Sequence, residues 1–127
     1  MPRLDADDAE IATRFRALDE ASRRRLACGM VRRALAEVEP VRLPQQTTLL
    51  LASGGVATPA QLSELDRRAA EGGGVVDERG VRRARAIAAA RYALSPQPRA
   101  AEEALHEALH ARSSLPVAID ELRHQLT

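Results

Sequence analysis

PRAAEEALHEALHAR, residues Pro98 to Arg112, decides how the rest of the chain is read. Ala101, Ala104, Leu105, Ala108, Leu109 and Ala111 recur at the i, i+3, i+4, i+7 spacing of one helical face. Glu102, Glu103, His106, Glu107 and His110 fall on the opposite arc. Pro98 stands where a helix tolerates proline, at its start. The stretch predicts an amphipathic helix with its Ala/Leu side in a core and its Glu/His side toward water.

The same grammar extends along the chain. ADDAEIATRFRALDE places Ile11, Phe15 and Leu18 at helical spacing, with Asp7 or Asp8 near the N-cap. EASRRRLACGMVRRALAEVE carries Leu26, Met30, Ala34 and Val38 on one row, widened by Cys28, Val31 and Leu35 and followed by Pro40. Asp19 is placed to cap it. Gly29, in mid-helix, either costs about 1 kcal/mol against Ala or marks a close helix contact. TTLLLASGG reads as a short helix opened by Thr47 or Thr48 and stopped by Gly54 and Gly55. TPAQ, from Thr58, has the residues of a reciprocal cap, with Pro59 at the first helical position and Gln61 at the third. That helix is expected to bury Leu62, Leu65 and Ala69 and to close in EGGG. Asp77 caps a further helix whose period puts Val81, Ala84 and Ile87 or Ala88 inward. PVAIDELRHQL is the last, with Ser113 or Ser114 as cap and Ala118, Ile119, Leu122 and Leu126 inward.

Composition agrees. Of 127 residues, 45% are hydrophobic but only 2% aromatic: Phe15, Tyr92 and no Trp. Alanine, the best helix former, fills the deficit, and the β-branched and aromatic runs of strands are nearly absent. The expected architecture is all-α: one bundle of six or seven short helices joined by Pro/Gly turns, residues 8–127, behind a flexible leader, 1–7. Cys28 is the single cysteine, so no internal disulfide forms, and its apolar neighbours predict a buried thiol. The acidic opening MPRLDADDAE lacks the order of a signal peptide, and LLLAS is too short to span a bilayer. The chain is expected to be cytoplasmic, with no membrane partner.

HEALH, His106 to His110, spells H-E-x-x-H, which in zinc peptidases sets two ligands one turn apart with a glutamate as general base. Helical phase puts both histidines on the polar arc, expected in water. His124, on the last helix, is the third histidine of the chain. These three are the candidate metal ligands, and a zinc-dependent hydrolase is the remote reading. The expectation is no catalytic residue, no metal and no cofactor.

All 19 basic residues are arginine against 18 acids, for a net charge of +1. Such Arg/Ala use marks a GC-rich, bacterial genome, and the balance exerts no global pull on nucleic acid. Locally, residues 79–99 hold six arginines and no acid. Arg82, Arg83, Arg85 and Arg91, with Tyr92, are the candidate partner-binding residues, Arg and Tyr being enriched in interface hot spots. LLLASGGVATPAQLSEL, 49–65, resembles the opening of a helix-turn-helix or winged-helix domain. That resemblance implies a DNA-binding regulator using helix 58–70 and the arginines of 79–91, although no wing hairpin follows. The favoured expectation is a non-catalytic helical module that binds another protein, as adaptor, accessory subunit or inhibitor, or binds a second copy of itself.

Overall fold

A computed structural model describes residues 3–39, 41–72 and 77–126. Those residues are helical without a strand, as the alanine content requires. The elements are α1 (Arg3–Asp7), α2 (Ala9–Arg16), α3 (Glu20–Glu37), α4 (Gln45–Ser53), α5 (Pro59–Gly72), α6 (Glu78–Ala93), α7 (Ala100–Ala111) and α8 (Leu115–Gln125). Among the described residues that is eight helices against the six or seven expected, in one domain. The addition is α1, where the reading placed a leader. Leu4 supplies its apolar anchor, only 1% exposed.

Local capping chemistry fixes most boundaries. Asp8, Asp19, Asp77 and Ser114 each accept the backbone N–H three residues on, opening α2, α3, α6 and α8. Thr58 and Gln61 close a reciprocal box: the Gln61 N–H donates to Thr58 Oγ1 at 3.2 Å and the Thr58 N–H to Gln61 Oε1 at 2.8 Å. Two boundaries differ from expectation. Helix α4 begins at Gln45, and Thr47 is buried in it rather than capping it. Helix α7 begins at Ala100, two residues beyond Pro98. Gly54 ends α4 with φ 71°, in the left-handed region that glycine enters freely. Pro40 and the last two glycines of the EGGG stop, Gly73 and Gly74, fall outside the described residues.

Helices α6 and α7 share the largest contact of the fold; α5 lies along α6, and α3 packs on both α6 and α7. The central pair buries alanines 86, 89, 90 and 93 of α6 and 104, 108 and 111 of α7. Small side chains let helix backbones approach closely. Phe15, Met30, Leu65, Leu94, Leu105, Leu109 and Leu122 fill the remaining core. The inward face of α6 is corrected in part, since Ile87 is buried as expected. Val81 was expected inside and is 49% exposed, while Ala86, Ala89 and Ala93 are buried. Alanines surround this helix, so its hydrophobic period is nearly flat.

Gly29 is also resolved. A Cβ built there would meet nothing nearer than the Arg32 guanidinium at 4.0 Å, so no close helix contact requires the glycine. Gly29→Ala is therefore expected to stabilise the fold by about 1 kcal/mol. The melting temperature should rise by about 3–5 °C. A fall would show that the room beside α3 is needed for something else.

Candidate functional site: the covered polar face of α7

The arc of α7 expected to face water is roofed. Helix α1 packs on α7 and matches its charges. Arg3 pairs with Glu103, and with Glu107 at 3.0 Å. Arg16 of α2 bridges Asp5 of α1 and Glu102 of α7, both at 2.6 Å. Asp7, the last residue of α1, reaches both histidines: His106 Nδ1 donates to Asp7 Oδ2 and His110 Nε2 donates to Asp7 Oδ1, each at 2.7 Å. The Asp7, His106 and His110 side chains are 7%, 12% and 31% exposed. The expectation of outward, solvated histidines is overturned. Helical phase located the polar side correctly, but a segment some hundred residues distant in sequence covers it.

The electrostatics follow from the pairs. The bond to Glu103 holds the Arg3 guanidinium above its ordinary pKa, and bonds from Glu102 and Asp5 do the same for Arg16. The Arg16 bond holds the Asp5 carboxyl below its ordinary value. Asp8 is lowered by the Ile11 backbone N–H and then by Arg123 of α8, 3.0 Å away. The first turns of the chain are thus tied to its last helix.

Glu107, the glutamate of HEALH, is 9% exposed and does not serve the histidines. Its two oxygens face Arg3 at 3.0 Å and Arg85 at 3.9 Å. A general base would need a free carboxylate beside metal-bound water. His124 does not join the pair: it is exposed on α8, and its Nδ1 donates to the Asp120 carbonyl at 2.8 Å. Among the described residues, the donor atoms that gather within 4.8 Å of one another are those of Asp7, His106 and His110.

The arginines of 79–99 are largely turned to internal acceptors. Arg79 donates to the Glu39 carbonyl. Arg82 lies 3.9 Å from Glu37, and Arg85 the same distance from Glu107. Arg91 is 3.1 Å from Asp66 and 5.9 Å from the centroid of the half-buried Tyr92 ring. The Nε atoms of Arg82 and Arg83 are buried without a hydrogen-bond acceptor among the described residues. In α5, the proposed reading helix of the DNA alternative, Arg67 and Arg68 pair with Glu64 at i−3 and i−4. Cys28 is buried as expected, and desolvation pushes its thiol pKa up.

One polar hub escaped the sequence reading. Arg112, only 9% exposed, donates to Glu121 through two bonds of 2.6 and 3.0 Å and also to Glu37. Glu37 in turn accepts the Ser113 N–H at 3.0 Å. Nothing local in SSLP or its flanks signals this meeting of α3, α7 and α8.

The chain matches no protein-family model, no curated protein and no solved structure.

Proposed function

We propose that the chain is a non-catalytic protein-binding module whose docking face is α4 with its flanking segments. The single observation behind this reading is that α4, QQTTLLLAS, has no ionisable side chain in a protein where 29% of residues are charged. Every other helix carries acids or bases. Interface centres are depleted of charge in this way. Leu49 of α4 is 61% exposed and Val56, just beyond it, 47%. Thr48 and Leu51 of the same helix line a depression of about 240 Å³ together with Leu35, Val41, Leu43, Arg32 and Glu39. An apolar segment of a partner protein, flanked by charges of both signs, suits that surface. The partner-binding role first assigned to Arg82, Arg83, Arg85, Arg91 and Tyr92 moves to a supporting position, because four of these residues already have internal partners or burial.

The DNA-binding alternative is disfavoured by the same pairing. Phosphate contacts need cations free to displace counterions, and Arg67, Arg68, Arg85 and Arg91 face carboxylates instead. The hydrolase alternative is disfavoured by Glu107, whose oxygens are occupied. Among the described residues no helix is long and apolar enough to cross a membrane. We place the protein in the cytoplasm, where a lone buried thiol stays reduced.

Leu49→Asp tests the reading. The exposed position predicts a stability change within about 0.5 kcal/mol. Cross-linking in native lysate, followed by mass spectrometry, should recover a partner with wild type and with Arg82→Glu/Arg85→Glu but not with Leu49→Asp. Retention of the partner by Leu49→Asp sinks the α4 face. Salt-sensitive retention on DNA, lost in the arginine variant, would instead establish the regulator. Sedimentation of the same variants distinguishes a second copy of the chain from a different protein.

A further inference from the structure

We propose that Asp7, His106 and His110 form a structural binding site for a first-row divalent cation, with zinc the best fit, that staples α1 to α7. The proposal stands apart from the α4 docking face and does not depend on it. Two imidazoles, which are borderline ligands, joined by one carboxylate favour zinc and its neighbours over magnesium or calcium, which take all-oxygen sets. They arise from two helices: His106 and His110 one turn apart on α7, and Asp7 from the end of α1. All three side chains are partly or largely withdrawn from water, and their donor atoms converge within 4.8 Å.

The carboxylate already presents one oxygen to each imidazole. A bidentate Asp7 with two ring nitrogens makes four donors; a monodentate one leaves a position for water. The nitrogen–oxygen separations of 2.7 Å must widen toward about 3.4 Å, the spacing of adjacent donors around a tetrahedral zinc. The tautomers shift with this widening: His106 would bind through Nδ1 with its proton on Nε2, and His110 through Nε2 with its proton on Nδ1. Each ring keeps one proton and stays neutral. Glu107 remains with Arg3 and Arg85, so the site holds structure and carries no hydrolytic base.

The test uses the full chain, stripped with chelator and titrated with zinc chloride alone. Wild type should take up one equivalent and melt at a higher temperature once loaded. Cobalt(II) should give the intense visible bands of a tetrahedral site. Asp7→Asn, His106→Gln and His110→Gln should each weaken zinc binding by more than about 100-fold, beyond the loss typical of an outer-shell change. His124→Gln should bind as wild type does. Helical circular dichroism verifies folding, and Asp7→Asn, which keeps the side chain's shape, carries the test if a histidine variant fails to fold. Substoichiometric uptake by wild type at micromolar zinc overturns the proposal and leaves a metal-free aspartate clamp. Undiminished affinity in Asp7→Asn, or loss of binding in His124→Gln, overturns it equally.

Discussion

Phe15→Ala is expected to cost about 3–4 kcal/mol, the largest loss from any single truncation in this core. Phe15 is the one phenylalanine of the chain and is 1% exposed. It sits on α2, which has eight residues and buries only Ile11 and Ala12 besides it. Phe15 is the largest of the fully buried side chains, so its removal empties the most space. The loss combines transfer of the ring to water with a persistent cavity. Against a typical total of about 5–15 kcal/mol, it removes a large share of the stability. Urea unfolding should show a lower midpoint with an unchanged slope. Phe15→Leu should cost about a third as much. A loss below about 1 kcal/mol for the alanine variant would mean that α2 is held by its charges and not by its aromatic ring.

The second large effect is expected at Arg112. Arg112→Ala leaves Glu37 and Glu121 with a common partner missing at the meeting of three helices. Breaking a fully buried pair costs about 3–5 kcal/mol. The two glutamates are 27% and 29% exposed, so solvent recovers part of that, and about 2–3 kcal/mol is expected here. Acid titration separates this loss from simple packing. The Arg112 bonds hold the Glu121 carboxyl below its ordinary 4.5. At Glu37 burial opposes ionisation, but the Ser113 N–H and Arg112 outweigh it and the net direction is again down. Lowered carboxyls bind fewer protons when folded than when unfolded. Their contribution is therefore complete above the unfolded value and disappears as pH falls through the folded one. Wild type should hold a plateau at neutral pH and lose stability below pH 4.5. Arg112→Ala should start lower and show a shallower acid slope. Parallel curves for the two proteins would mean that Arg112 acts through its aliphatic stem.

The expectations that survived rest on information confined to a few neighbouring residues. Thr58 and Gln61 announce a cap because their partners are three positions away, and the same holds for Asp19 and Asp77. The existence of α2 to α8 was legible from alanine and from Pro/Gly breaks. The inward face of α6 was legible only at Ile87, since an all-round alanine helix has no strong preferred side and its neighbours choose one. The site failed for a different reason. Periodicity distinguishes the apolar side of α7 from the polar side, and it did so correctly. It does not say whether the polar side is wet. That depended on α1, five residues with no period of their own, whose decisive bonds run from Asp7 to His106 and His110. Arg112 was invisible likewise, because its value lies in Glu37 arriving from α3.

The alanine pairing of α6 with α7 has a consequence for the thermodynamics of the fold. A buried leucine gives up about 0.5–1 kcal/mol of rotamer freedom and a methionine or glutamine up to about 2, whereas alanine gives up none. The alanines of the central contact thus freeze no side-chain rotamers, and that cost falls there only on Ile87 and on leucines such as Leu105 and Leu109. The contact's gain in transfer free energy per residue is small, but so is the disorder it surrenders. Further entropic losses fall at the periphery, on the long arginines and glutamates that clamp α1, α2, α3 and α8 to the alanine-built centre.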